Sequence, residues 1–128
     1  MSGFILLIEG ANATHEHATL LQRCGFRVEV SRRDASDAGE ILRLAPVLIA
    51  VELESARTVE TFEFARGLRA HPQLRATPIL VYATVLNPEH IEMAARNGLL
   101  WLQITPVEKL VAAVRGLLSA QSASGAFE

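Results

Sequence analysis

Five times along the chain a short apolar run rich in Val, Ile and Leu is followed by a segment with helical spacing, and this alternation constrains the fold more than any other feature. A strand that is apolar at nearly every position, such as Phe4–Ile8 or Val47–Val51, has to be covered on both faces, which is the condition of a parallel sheet between helix layers. Strands are expected at Phe4–Ile8, Arg27–Val30, Val47–Val51, Ile79–Tyr82 and Leu100–Ile104. Helices are expected at Thr14–Cys24, Ser36–Leu44, Val59–Ala70, Pro88–Asn97 and Pro106–Leu118. Crossovers between parallel strands are right-handed, so five such units predict an open α/β three-layer sandwich with a five-stranded parallel sheet. With 128 residues, half of them hydrophobic, the chain builds one core. Residues 1–119 form that domain, and the small and polar residues 120–128 form a flexible C-terminal tail.

Local punctuation agrees with these boundaries. Gly25 and Gly98 stand where a left-handed helix stop is needed, and Asn87-Pro88 is a cap followed by proline at the first helical position. In the last helix Val107, Leu110, Val111, Val114, Leu117 and Leu118 recur at three- and four-residue steps and define a buried stripe. Thr105-Pro106-Val107-Glu108 has the spacing of a capping box.

Charge and cysteine content narrow the function. The formal net charge is −2 and the basic residues are scattered, so no footprint for nucleic acid stands out. Cys24 is the single cysteine, which excludes an internal disulfide and fits a reducing cytoplasm. The N-terminus runs into Phe4–Ile8 with no basic segment ahead and Glu9 closing it, which reads as a strand and not a signal peptide. No apolar run approaches the roughly 18 residues needed to span a bilayer. Without a secretion signal the acceptor pattern Asn12-Ala13-Thr14 carries no weight.

In open α/β sheets ligand chemistry gathers at the carboxyl ends of the strands, which here are Glu9 and Gly10, Glu52, Ala83 and Thr84, and Thr105. Over about residues 4 to 118 the sequence resembles the receiver domain of two-component response regulators, a flavodoxin-like fold. The stretches that carry the resemblance are Leu68-Arg69-Ala70-His71-Pro72-Gln73-Leu74-Arg75-Ala76-Thr77-Pro78-Ile79-Leu80-Val81 and Ala94-Ala95-Arg96-Asn97-Gly98, the latter followed by a strand and Thr105-Pro106-Val107. The resemblance implies an acidic pair after the first strand for Mg²⁺, an aspartate after the third as phosphoryl acceptor, a Ser/Thr after the fourth and a Lys before the proline after the fifth. Metal and Lys neutralise charge that builds on the transferring group.

This chain departs at each of these positions. The acidic pair is Glu9-Gly10, the acceptor position is Glu52, the hydroxyl position is Ala83 with Thr84 beside it, and the Lys position is Thr105. One extra methylene shifts a carboxylate by about an ångström or more, enough to misplace an in-line attack. The loop from Leu53 to Thr61 also lacks the family's usual Pro and Gly and is one residue longer. The expectation is therefore a degenerate receiver, not an enzyme, that needs no cofactor and acts by phosphorylation-independent contact with a protein partner. That partner is a signalling kinase, an output protein or a second copy of the chain. No output domain follows, so output would come through contact by the face of the fourth helix, fifth strand and fifth helix, with His90, Met93, Arg96, Trp101 and Gln103 as the residues to test. Two alternatives stand beside it: an atypical receiver that still accepts a phosphoryl group with Mg²⁺ at Thr84 or Glu52, and a flavodoxin-like cofactor binder. The second is disfavoured by the lack of a glycine-rich phosphate loop and of an Asp-x-His cobalamin motif.

Several residues have competing readings. Glu52 is a fixed mimic of the phosphorylated state, part of a locked conformation, or a solvated strand-end carboxylate. The relays that the family uses are Ala83 and Leu102 here, which favours the locked form. Glu9 and Glu52 are weak metal candidates, since two carboxylates and water hold Mg²⁺ or Ca²⁺ only loosely. Thr105 is a helix cap or lies before a cis peptide bond, as in many family members. His15-Glu16-His17 reads as a solvated helix start, because ligands two apart point to different sides of a helix. Cys24 reads as a small core residue, and Tyr82 and Trp101 as core packing or a binding hot spot.

Overall fold

The computed structural model describes residues 3–10, 15–33, 37–85, 87–104 and 107–126. Its strands are β1 (Ile5–Glu9), β2 (Val28–Arg32), β3 (Leu48–Glu52), β4 (Ile79–Ala83) and β5 (Leu100–Gln103). Its helices are α1 (Glu16–Arg23), α2 (Ala38–Leu44), α3 (Thr58–Arg69), α4 (Pro88–Arg96) and α5 (Glu108–Ala126). The strands pair in parallel in the order β2-β1-β3-β4-β5. This is the three-layer sandwich that the alternation predicted, in the flavodoxin-like arrangement that the receiver resemblance implies, with its topological switch point between β1 and β3.

The two-residue period of the strands divides the core in two. Leu6, Ile8, Ile49, Val51, Ile79 and Val81 pack on one face against Ile41 of α2, Phe62, Ala65 and Leu68 of α3 and Ala94 of α4. Ile5, Leu7, Leu48, Ala50, Leu80 and Tyr82 pack on the other face against Ala18 and Leu21 of α1 and Leu110, Val111 and Val114 of α5. The continuous apolar runs of β1 and β3 have this cause: neighbouring residues enter opposite cores.

The punctuation falls where expected. Asn87 caps α4, its side chain accepting the Glu89 N–H at 2.9 Å with Pro88 at the first helical position. Gly25 and Gly98 take φ of 94° and 68°, which a side chain would disfavour. Several boundaries move by a residue or two, and three differences stand out. β2 continues to Arg32, past the expected end at Val30, because it is an edge strand with half-exposed positions that hold Glu29, Ser31 and Arg32. α3 is preceded by a 3₁₀ turn at Ser55–Arg57. α5 runs to Ala126, past the tail boundary at Ser119, through Ala, Ser and Gln residues that contain no proline stop. Cys24 is exposed at the end of α1 and does not belong to the core. Thr105 and Pro106, and with them the capping-box and cis-peptide readings, lie outside the described residues.

Candidate functional site

The switch point brings Glu9 and Glu52 side by side. β1 and β3 pair in register through Ile8 and Val51, and each strand ends on its glutamate at the next position. Glu9 is 1% exposed, whereas the Glu52 side chain keeps 23% of its surface. Both carboxylates are engaged from within the chain. Glu52 Oε1 accepts the Gly10 backbone N–H at 3.0 Å, and its Oε2 lies 3.7 Å from His17 Nδ1. Glu9 Oε1 is met by His15 Nδ1 in a short contact.

His15 keeps 63% of its side chain exposed at the helix start, as the sequence reading expects, but His17 does not, and this corrects that reading. His17 is buried against the strand ends, its ring edge-on to Tyr82 at 5.3 Å and 89°. His15 precedes α1 as its N-cap with φ of 62°, so the opposite-sides rule for residues two apart on a helix does not apply to it. Left-handed backbone is uncommon outside glycine, though histidine is among the residues enriched there. From that backbone the imidazole reaches back to Glu9.

Tyr82 closes the floor of the site. It is fully buried, and its hydroxyl has no partner among the described residues. Burial, followed by the negative charges of Glu52, Glu9 and Glu16, pushes its pKa well above the ordinary tyrosine value, so it stays neutral. A small cavity of about 90 Å³ remains here, lined by His17, Glu52, Leu53, Tyr82, Ala83 and Thr84.

Two residues that sequence reasoning passed over complete the site. Arg33, just after β2, donates from Nε to Glu54 Oε1 at 2.9 Å, and both side chains are largely buried at 14% and 17% exposure. Glu54 lies two residues beyond β3, within the loop whose length and composition depart from the receiver pattern. Strand order puts β1 between β2 and β3, so this pair crosses the end of β1 over Gly10.

The receiver resemblance implies Mg²⁺, and the residues present do not fit it. Mg²⁺ needs near-octahedral oxygen coordination. Glu9 Oε1 is held by histidine, Glu52 Oε1 by a backbone N–H and Glu54 by arginine, and Gly10 supplies no carboxylate. Among the described residues no group of three or more His, Cys, Asp or Glu side chains is placed to hold a metal ion. Glu9 Oε2 is buried without a partner among those residues.

The residues expected to contact a partner gather at the other edge of the sheet. His90 sits between Phe62 and Trp101, with centroids 6.0 and 5.5 Å away and the rings tilted at 48° and 57°. Met93 and Trp101 are half-buried against the core, Gln103 is half-buried, and Arg96 is exposed in an i,i+4 pair with Glu92. Beside edge strand β5 an apolar groove of about 340 Å³ is lined by Leu80, Leu100, Trp101, Leu102 and Leu117. Leu100 is 42% exposed there. A larger cleft of about 490 Å³ lies between the start of α3 and the β4–α4 connection.

Comparison with solved structures places the fold. The chain is similar to the chemotaxis response regulator CheY4 of Vibrio cholerae, at 23% identity over 89% of this chain and 98% of that one, with a TM-score of 0.63. It is also similar to the signal receiver domain of a histidine kinase from Syntrophus aciditrophicus, at 22% identity over 92% and 91% of the two chains and a TM-score of 0.67. A CheY-like protein, tadZ, from Pseudomonas aeruginosa matches at 16% identity over 88% and 98%, with a TM-score of 0.66. No family model and no curated protein matches the chain. The fold is that of CheY-like response-regulator receiver domains: five parallel strands in one sheet with five helices.

Proposed function

We propose that the chain is a pseudo-receiver, a signalling module of the two-component type that acts through phosphorylation-independent protein contact. The observation that carries this reading is the internal engagement of the strand-end carboxylates, Glu9 with His15 and Glu52 with the Gly10 N–H and His17. A pocket in which one oxygen of each carboxylate is already taken by the chain's own groups has fewer left to organise metal and phosphoryl group, and positioning supplies most of phosphoryl-transfer catalysis. Ala83 adds no hydroxyl at the switch position.

Output then passes through the face formed by α4, β5 and α5, where Arg96 supplies an exposed charge and the groove beside Trp101 supplies apolar area. The partner is a kinase, an output protein or a second copy of the chain. No helix among the described residues is long and apolar enough to cross a membrane, and a cytoplasmic location belongs to this proposal. Incubation with a small phosphodonor and Mg²⁺, followed by intact-mass measurement, is expected to leave the mass unchanged. A stoichiometric gain of one phosphoryl group would replace this reading with that of an atypical, still active receiver.

A further inference from the structure

The steric situation at Gly10 goes beyond the loss of catalytic residues. A Cβ built on Gly10 would stand 2.5 Å from Glu54 Cγ, 2.8 Å from Glu54 Cδ and 3.2 Å from Glu52 Oε1. The backbone there is not left-handed, so conformational freedom does not explain the glycine. What excludes a side chain is the volume that Glu54 fills. Glu54 cannot yield cheaply, because its carboxylate is tied to Arg33 at 2.9 Å and the blocking atoms are at the middle of the side chain, not at a free tip.

We infer that Glu54, clamped by Arg33, is a built-in plug of the strand-end pocket: it occupies the space above β1 in which an active receiver places its second metal-ligating carboxylate. The inference rests on the receiver reading only for the identity of that missing carboxylate; the steric exclusion stands on its own. Arg33 adds an electrostatic consequence, since a guanidinium held beside the pocket opposes a divalent cation. Repair of single positions, Glu52→Asp or Gly10→Asp, therefore does not reopen the pocket while Glu54 remains.

A thermal-unfolding cycle tests this on the whole chain. Gly10→Ala should lower Tm by about 5 °C or more in the wild-type protein but by less than about 2 °C in a Glu54→Ala background, where the Cβ has room. The cycle subtracts the separate cost of leaving Arg33 without its partner. Losses that agree within about 1 °C in the two backgrounds would overturn the plug. A second measurement is titration with Mn²⁺: Gly10→Asp should tighten its binding by about tenfold in the Glu54→Ala background and leave it unchanged when Glu54 is present. A tenfold gain with Glu54 retained would also overturn it. If Gly10→Asp fails to fold beside Glu54, the Gly10→Ala cycle decides alone. Phosphoryl uptake in the mass assay together with a coupled cycle would remove the functional reading and leave the plug; additive Tm losses with no uptake would do the reverse.

Discussion

The two ends of the sheet's active layer solve the problem of polar groups in opposite ways. At the β1/β3 end, Glu9, Glu52, Glu54, His15, His17 and Arg33 are drawn into one another around a cavity of about 90 Å³, with the larger cleft of about 490 Å³ beside it at Ala83 and Thr84. At the β5 edge, Trp101 and His90 meet in a tilted ring contact over the core, while Arg96 and Leu100 face solvent and an apolar groove lies open beside the strand. The first region has kept the location of a receiver's chemistry and spent its groups on internal contacts. The second keeps surface that a protein could bury, and the proposed function by contact rests on that contrast.

The comparison is broken most severely by removing the floor of the closed end. Tyr82→Ala should cost about 3–5 kcal/mol in urea-induced unfolding, by loss of a fully buried aromatic and the cavity it leaves. Next in size is an alkaline effect. The folded-state pKa of Tyr82 is raised above its unfolded value near 10, so its contribution to stability is full below that pH and is lost as pH rises toward the folded value. Tyr82 is the only tyrosine, so phenolate absorbance reports it alone, and Tyr82→Phe should flatten the alkaline decline. A tyrosine that titrates normally would show that the site is open to water.

At the open end, Arg96→Glu should weaken partner capture by about tenfold while changing stability by less than about 0.5 kcal/mol, since an exposed i,i+4 pair contributes little to folding. By contrast, Glu52→Asp should leave partner binding within about threefold. Binding that depends on Glu52 and ignores Arg96 would reverse the roles of the two regions. The smallest effect is expected for Tyr82→Phe at neutral pH, within about 0.5 kcal/mol of wild type or slightly stabilising. The hydroxyl it removes is buried without a hydrogen-bond partner among the described residues.

Much of the architecture was legible in local pattern. Ile5 to Ile8 and Leu48 to Val51 are apolar at successive positions because both sheet faces are covered, and a window of a few residues contains that signal. Asn87-Pro88 and the glycines at 25 and 98 mark helix ends by backbone chemistry that needs no tertiary context. The end of β2 was missed because an edge strand tolerates Ser31 and Arg32, which an apolar-run criterion excludes. Cys24 was assigned to the core from its residue type and place at the apolar end of α1, yet the helix turns it outward.

The site was legible as a set of strand-end positions but not as a set of contacts. Glu9, Glu52 and Ala83 follow from where apolar runs stop. His17 is buried on the face of α1 that also carries Ala18 and Leu21, while His15, with φ of 62°, leaves the helical phase assumed for the pair. By itself the sequence determined the layered α/β fold, the positions of the strand ends and which residue types stand there, because these follow from period, propensity and residue identity. Only the tertiary structure decided that Arg33 meets Glu54 over Gly10, because β2 and β3 flank β1 in the sheet while lying on one side of it in the chain. Contacts of that kind arise from strand order, and no spacing of residues along the sequence encodes them.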